Sequence, residues 1–333
     1  MSMGFIDWIT ATLLFVSPFL VVLIYASVSY HEYIKSPGRR GLKRSVFYLA
    51  SISIVVLILV AVIFPSLGSL LLTSSLALIP FFVLVGGYRV LAERESYCSK
   101  EEQVSAGGLD FVVCRGGPVN AWYDYRKKKI YISDKLLKIL TDEELKAVYY
   151  HEEGHRNYSY LARTSLSIRW VWFIFFSLAF TVFIDTEFKI VNATLWDYSL
   201  LLVFLVSITA SISAISIVWN WIKEHESDVY SAGKVGAKPL ISALAKLYLY
   251  GWLEKDGIPA YYARVSIDLD VESITRDPHK MRYTQIFTLL LKRSLHSALG
   301  VIKPTSIYEA PLPDTHPPLE YRVLVIWGMH ATY

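Results

Sequence analysis

Charge is scarce in this chain. Of 333 residues only 19% are charged, against 54% hydrophobic, which is less charge than a soluble domain carries. Cysteine is scarcer still: Cys98 and Cys114 alone. Two cysteines at that spacing make neither a metal motif nor a disulfide framework, so they are expected to be free thiols. There is no internal repeat and no low-complexity segment. The basic residues are not interleaved with aromatics on one face, which excludes nucleic acid as a partner. The net charge of +4 says little by its total. Residues 1–7 hold an acid and no base, which argues against a cleaved signal peptide.

Long apolar runs are plentiful. A bilayer needs about 20 apolar residues as a helix. Five stretches qualify: 8–30, 46–64, 66–88, 167–184 and 198–221. Pro65 separates the second from the third, and Pro80 would kink the third. A hairpin that enters and returns is the alternative for 66–88.

The expected fold is therefore an α-helical polytopic membrane protein with a mainly α, in part α+β, cytoplasmic domain. Three spans occupy 1–88, segment 89–166 follows, two spans occupy 167–221, and 222–333 closes the chain. Loop 31–45 holds Lys35, Arg39, Arg40, Lys43 and Arg44, which places it in the cytoplasm. The N-terminus is then outside. Segments 89–166 and 222–333 are inside. Loop 185–197, with one lysine and three acids, is outside, and carries the sequon Asn192-Ala193-Thr194.

Segment 89–166 contains two β-like runs, 109–114 and 129–133, with Gly116-Gly117-Pro118 and a basic run 126–129 between them. They read as a small hairpin or edge strand. A short helix over 134–139 comes next. Thr141-Asp142-Glu143-Glu144 has the form of a capping box, so a helix starts near Asp142. Further helices are expected over 239–253, over roughly 279–299, and from Leu319, after a proline-rich linker.

The chemistry lies in His151-Glu152-Glu153-Gly154-His155. Two histidines four apart share one helical face and can reach one zinc ion. Glu152 beside them can take a proton from a metal-activated water. A catalytic zinc needs a third protein ligand. The fifth apolar stretch runs directly into Lys223-Glu224-His225-Glu226-Ser227-Asp228. Glu224 is the expected ligand and Asp228, four residues on, the expected partner of a ligand histidine. Glu226 is the rival ligand, without an acid four residues further. Both motifs flank apolar stretches and would meet at the cytoplasmic membrane face.

These motifs resemble the HtpX-like integral-membrane zinc metallopeptidases, which are related to the CAAX prenyl endopeptidases. The likeness rests on Asn120-Ala121 with the strand at 129–133, on LTDEELKAVYYHEEGH, on EHESDVYSA and on DTHPPLEYR. It implies one zinc per chain, held by His151, His155 and Glu224, with Glu152 as general base and Asp228 behind the ligands. It implies that Asn120 binds substrate backbone and that His316 stabilises an oxyanion. Arg322 would support an ion pair. The implied partners are polypeptide substrates and the lipid bilayer. The sequence departs from the family at Glu153, where an apolar residue is usual. Two other functions fit the same motifs: a prenyl-protein endopeptidase, and a membrane scaffold or chaperone that keeps zinc for structure.

Overall fold

The computed structural model describes residues 5–35, 51, 98–158, 195–255, 283–302 and 316–330. The chain divides into two compact units. The first comprises 1–92, 164–220 and 281–315, and the second 93–163, 221–280 and 316–333. The stretches 46–64, 66–88 and 167–184 lie outside the described residues. Stretch 8–30 falls within helix α1 (Phe5–Lys35), and 198–221 within helix α4 (Leu195–Val235). Among the described residues no helix is long and apolar enough to cross a membrane.

In the first unit α1 packs on α6 (Tyr283–Ile302). The Tyr283 hydroxyl donates to the Ile24 carbonyl at 3.2 Å. The Tyr283 ring meets His31 edge to face.

The second unit opens with a four-stranded sheet. Its strands are β1 (Lys100–Ala106), β2 (Leu109–Arg115), β3 (Ala121–Asp124) and β4 (Lys129–Ser133), in the order β1-β2-β4-β3. Gly107 and Gly108, both at positive φ, close the β1–β2 hairpin, as a two-residue turn of this twist requires. The Asp124 carboxylate accepts from the Arg126 and Lys127 amides and so shapes the β3–β4 turn.

The expected pairing of 109–114 with 129–133 as a hairpin is corrected. β2 and β4 run parallel, and β3 lies in the connection between them, antiparallel to β4. That leaves β3 at the sheet edge.

The free-thiol expectation is also corrected. Cys98 and Cys114 form a disulfide with Cα atoms 5.0 Å apart. The Ser99 amide donates to the Arg115 carbonyl at 2.8 Å, which draws residue 98 alongside the end of β2. The bridge packs with Val112, Tyr131 and Trp122 on one face of the sheet.

The opposite face carries Leu109, Phe111, Val113, Ile130 and Ile132 against helical Leu136, Val148 and Tyr149. Alternation along the strands produces this division. Helix α2 (Asp134–Leu137) follows β4 with Ser133 as its N-cap. Helix α3 (Asp142–Asn157) starts at the capping box Thr141/Glu144. Its buried Glu144 also accepts from Ser242 at 2.6 Å and from Lys246 at 2.7 Å. Those two residues sit on α5 (Ala237–Lys255), so one carboxylate starts α3 and ties it to α5. Leu240, Ile241 and Leu244 of α5 pack in turn on Val323 and Ile326 of α7 (Leu319–His330).

Candidate active site

Helix α3 presents His151 and His155 on one face, their rings 4.8 Å apart and nearly perpendicular. The end of α4 faces them and brings Glu224 between them. His151 Nε2 lies 3.4 Å from Glu224 Oε2, and His155 Nε2 lies 3.4 Å from Glu224 Oε1. All three residues are buried. Their ligand atoms lie within 4.8 Å of one another, a group that could hold a metal ion.

The distance from each histidine to its nearer Glu224 oxygen matches a zinc site, although the ligand atoms as a group spread over 4.8 Å. Ligands at zinc's ordinary bond lengths sit about 3.3–3.5 Å from each other along a tetrahedron's edges. Glu224 Oε2 is buried, and among the described residues its contacts with imidazole nitrogens are long, 3.4 Å to His151 and 3.5 Å to His316. A buried carboxylate oxygen left in that state is costly unless a cation completes it. Two imidazoles and one carboxylate, with a position left over, are the donors of a catalytic rather than a structural zinc.

The helices approach closely because of small residues. A Cβ placed on Gly154 would lie 2.8 Å from Ser227 Cα. Ser231 Oγ donates to the Ala147 carbonyl at 2.7 Å, also across the two helices. Glu153, the departure from the family pattern, has a function here. One of its oxygens accepts from Tyr230 of α4 at 3.1 Å and the other from Arg156 at 2.6 Å. It therefore clamps α3 to α4 outside the ligand cluster.

Behind His151 stands a buried ion pair. Asp228 Oδ1 lies 2.9 Å from His151 Nδ1. Arg322 donates to both Asp228 oxygens, through Nε at 2.8 Å and NH2 at 2.6 Å. Burial alone would raise the Asp228 carboxyl; Arg322 and His151 outweigh it and hold the group far below the usual carboxylate range. Burial alone would lower His151; hydrogen bonds to Asp228 and Glu224 reverse this and raise it to about 9. Glu224 follows the same pattern as Asp228: burial raises it, but the imidazoles of His316, His155 and His151 hold it well below its ordinary value.

Glu152 is buried beside His151 on α3. His316 precedes α7, with Nε2 3.5 Å from Glu224 Oε2. At 41% side-chain exposure it is the imidazole of the cluster open to an incoming ligand. Asn120 precedes β3, but its amide bonds to Ser133 Oγ and its carbonyl accepts from the Ser133 amide. Its backbone is thus tied to the end of β4. Glu226 is buried as well, but it is outside the convergent group.

Sequence reasoning missed two contributors. Ser227 Oγ lies 3.0 Å from His155 Nδ1. Tyr125, 42% exposed, senses the charge of the site from its rim: partial desolvation, then the carboxylates of Glu224 and Glu152, push its hydroxyl up. Neither residue stands at a motif spacing, and only the folded chain brings them there.

A histidine pair on one helix, a glutamate from a second, and a glutamate next to the first histidine are the side chains of a candidate metallopeptidase site. The chain belongs to peptidase family M48, whose family model matches residues 91–329. That range contains every residue of the site. Comparison with curated proteins and with solved structures gives no match.

Proposed function

We propose that this metallopeptidase is a zinc endopeptidase embedded in a membrane, which cuts extended polypeptides, misfolded or regulated membrane proteins among them. The observation that carries the zinc reading is the convergence of His151 and His155 on the buried Glu224 carboxylate. A zinc ion there supplies Lewis-acid chemistry, acidifying a water and polarising the scissile carbonyl.

The chain's own residues do the rest. Glu152 accepts the proton of the attacking water and returns it to the leaving amine. His316, exposed and beside Glu224, donates to the oxygen on which negative charge develops. Asp228 holds His151 through Nδ1, which leaves Nε2 for the ion. The outer edge of β3, which pairs with no other strand among the described residues, accepts an extended substrate as an added strand, and the Asn120 side chain orients it.

The membrane reading rests on the five apolar stretches and on the placement of basic residues, which favours a cytoplasmic site. The Cys98–Cys114 bridge favours the other side, since disulfides persist mainly in oxidising compartments. A reporter fused after Tyr333 decides between the two.

Zinc analysis and casein cleavage by the wild type, Glu152→Gln and Glu224→Ala test the mechanism. Glu152→Gln is expected to keep zinc and lose cleavage by at least about a hundredfold. Glu224→Ala is expected to lose zinc. A Glu152→Gln protein that still cleaves refutes the assignment of the base.

A further inference from the structure

A metal-ligating imidazole has two nitrogens, and the partner of the outer one sets both tautomer and ring orientation. For His151 that partner is the charged Asp228. For His155 it is Ser227 Oγ, 3.0 Å from Nδ1.

A serine hydroxyl has one proton to give. Ser227 Oγ lies 3.2 Å from the Lys223 carbonyl oxygen, one helical turn earlier. A carbonyl oxygen only accepts, so the hydroxyl can give its proton there. With Nε2 reserved for an ion, Nδ1 carries the hydrogen and the Oγ lone pair accepts it. The lone pair of Nε2 consequently faces Glu224, 3.4 Å away. The chain of bonds runs in one direction, from Nδ1–H to Oγ and from Oγ–H to the carbonyl.

The hydroxyl has little room to move or to be replaced. Ser227 is wholly buried, and a Cβ on Gly154 would lie only 3.2 Å from Oγ. Where Asp228 acts by charge, Ser227 acts by position.

We propose that Ser227 is a positioning residue of the metal site: it locks His155 in the Nδ1–H tautomer and thereby sets the affinity for zinc. This rests on the zinc reading given above.

The test uses the full-length protein in detergent and compares wild type, Ser227→Ala and Ser231→Ala. Ser231 is a control in the same helix interface, because its hydroxyl bonds only the Ala147 carbonyl among the contacts given above. Zinc affinity is measured by competition with a chelator, and the thermal midpoint of each metal-free protein is measured beside it. Ser227→Ala is expected to bind zinc about 10–100-fold more weakly, the usual effect of removing such a partner. Ser231→Ala is expected to lower the midpoint and leave zinc affinity unchanged. In the cobalt-loaded protein, proton NMR should show two exchangeable imidazole signals. Ser227→Ala should lose the His155 signal to solvent exchange and keep that of His151.

If Ser227→Ala binds zinc as tightly as wild type, the inference is overturned while the zinc site stands. If both serine variants weaken zinc equally, Ser227 is merely structural and the inference is also overturned. If wild type binds no zinc, the zinc reading itself falls and takes this inference with it.

Discussion

Gly154→Ala is the sharpest probe of how the site is assembled. The new methyl would lie 2.8 Å from Ser227 Cα, 3.1 Å from its Cβ and 3.2 Å from its Oγ. Carbon atoms in ordinary contact sit about 3.5–4.0 Å apart. The obstacle includes backbone, so no rotamer change relieves it, and the α3 and α4 helices must part by roughly 0.7–1 Å. Overpacking of this kind costs about 1–3 kcal/mol. Alanine in place of a mid-helix glycine returns about 1 kcal/mol. The net loss of stability is therefore only about 0–2 kcal/mol. The metal is affected far more. Both histidines ride on α3 and Glu224 rides on α4, so the separation opens both histidine–glutamate pairs. Metal sites tolerate ligand displacements of about 0.2 Å. Zinc affinity should fall by more than about tenfold while the metal-free protein melts within a few degrees of wild type. Chelator competition and calorimetry on the same samples measure the two effects. A variant that gains about 1 kcal/mol, as at an uncrowded helical glycine, and binds zinc normally would refute the close approach.

Two further perturbations address stability. Glu144 is pulled both ways: burial raises its carboxyl, and Lys246, Ser242 and Thr141 together bring it below its ordinary 4.5. The unfolded chain thus takes up the proton before the folded chain does, so Glu144's contribution is complete at neutral pH and is lost as pH falls through its folded value. Glu144→Gln should cost about 1.5–3 kcal/mol at neutral pH, and thermal melting should show the difference from wild type shrinking below about pH 4.5. The disulfide spans 16 positions, for which loop closure gives about 3 kcal/mol. Reductant should lower the melting midpoint of wild type and leave that of Cys98→Ser/Cys114→Ser where it is, with zinc affinity unaffected because the ligands stand on helices outside the sheet.

What could be read in advance was local. The capping box named the start of α3 because its two hydrogen bonds join residues three apart. The strand at 129–133 showed because Ile130 and Ile132 alternate toward the core. β1 was missed: Lys100-Glu101-Glu102-Gln103 has no apolar face, and the strand is held by pairing with β2 and by Lys127–Glu101 and Arg115–Glu102. β3 has only four residues and becomes a strand through β4. At the site, the histidine spacing and the Glu224–Asp228 spacing are helical periodicities, visible in one dimension. Ser227, Tyr230 and the bond between the cysteines depend on which helix or strand lies alongside, which the order of letters does not state. Glu153 looked anomalous for the same reason, since its partner Tyr230 is 77 positions away.

The Arg322–Asp228 pair has a consequence in time. Its members are 94 positions apart, and a ribosome delivers them in that order. While a nascent chain has passed Asp228 but not yet reached α7, the carboxylate behind His151 has no guanidinium to sit against, and His316 has not been made. A buried charge without its partner is strongly unfavourable, so the second unit cannot close in its final form around α3 and α4 alone. Synthesis thus orders assembly: among the described segments that build the site, α7 is made after α3 and α4, and the ion pair behind His151 closes only once it is there.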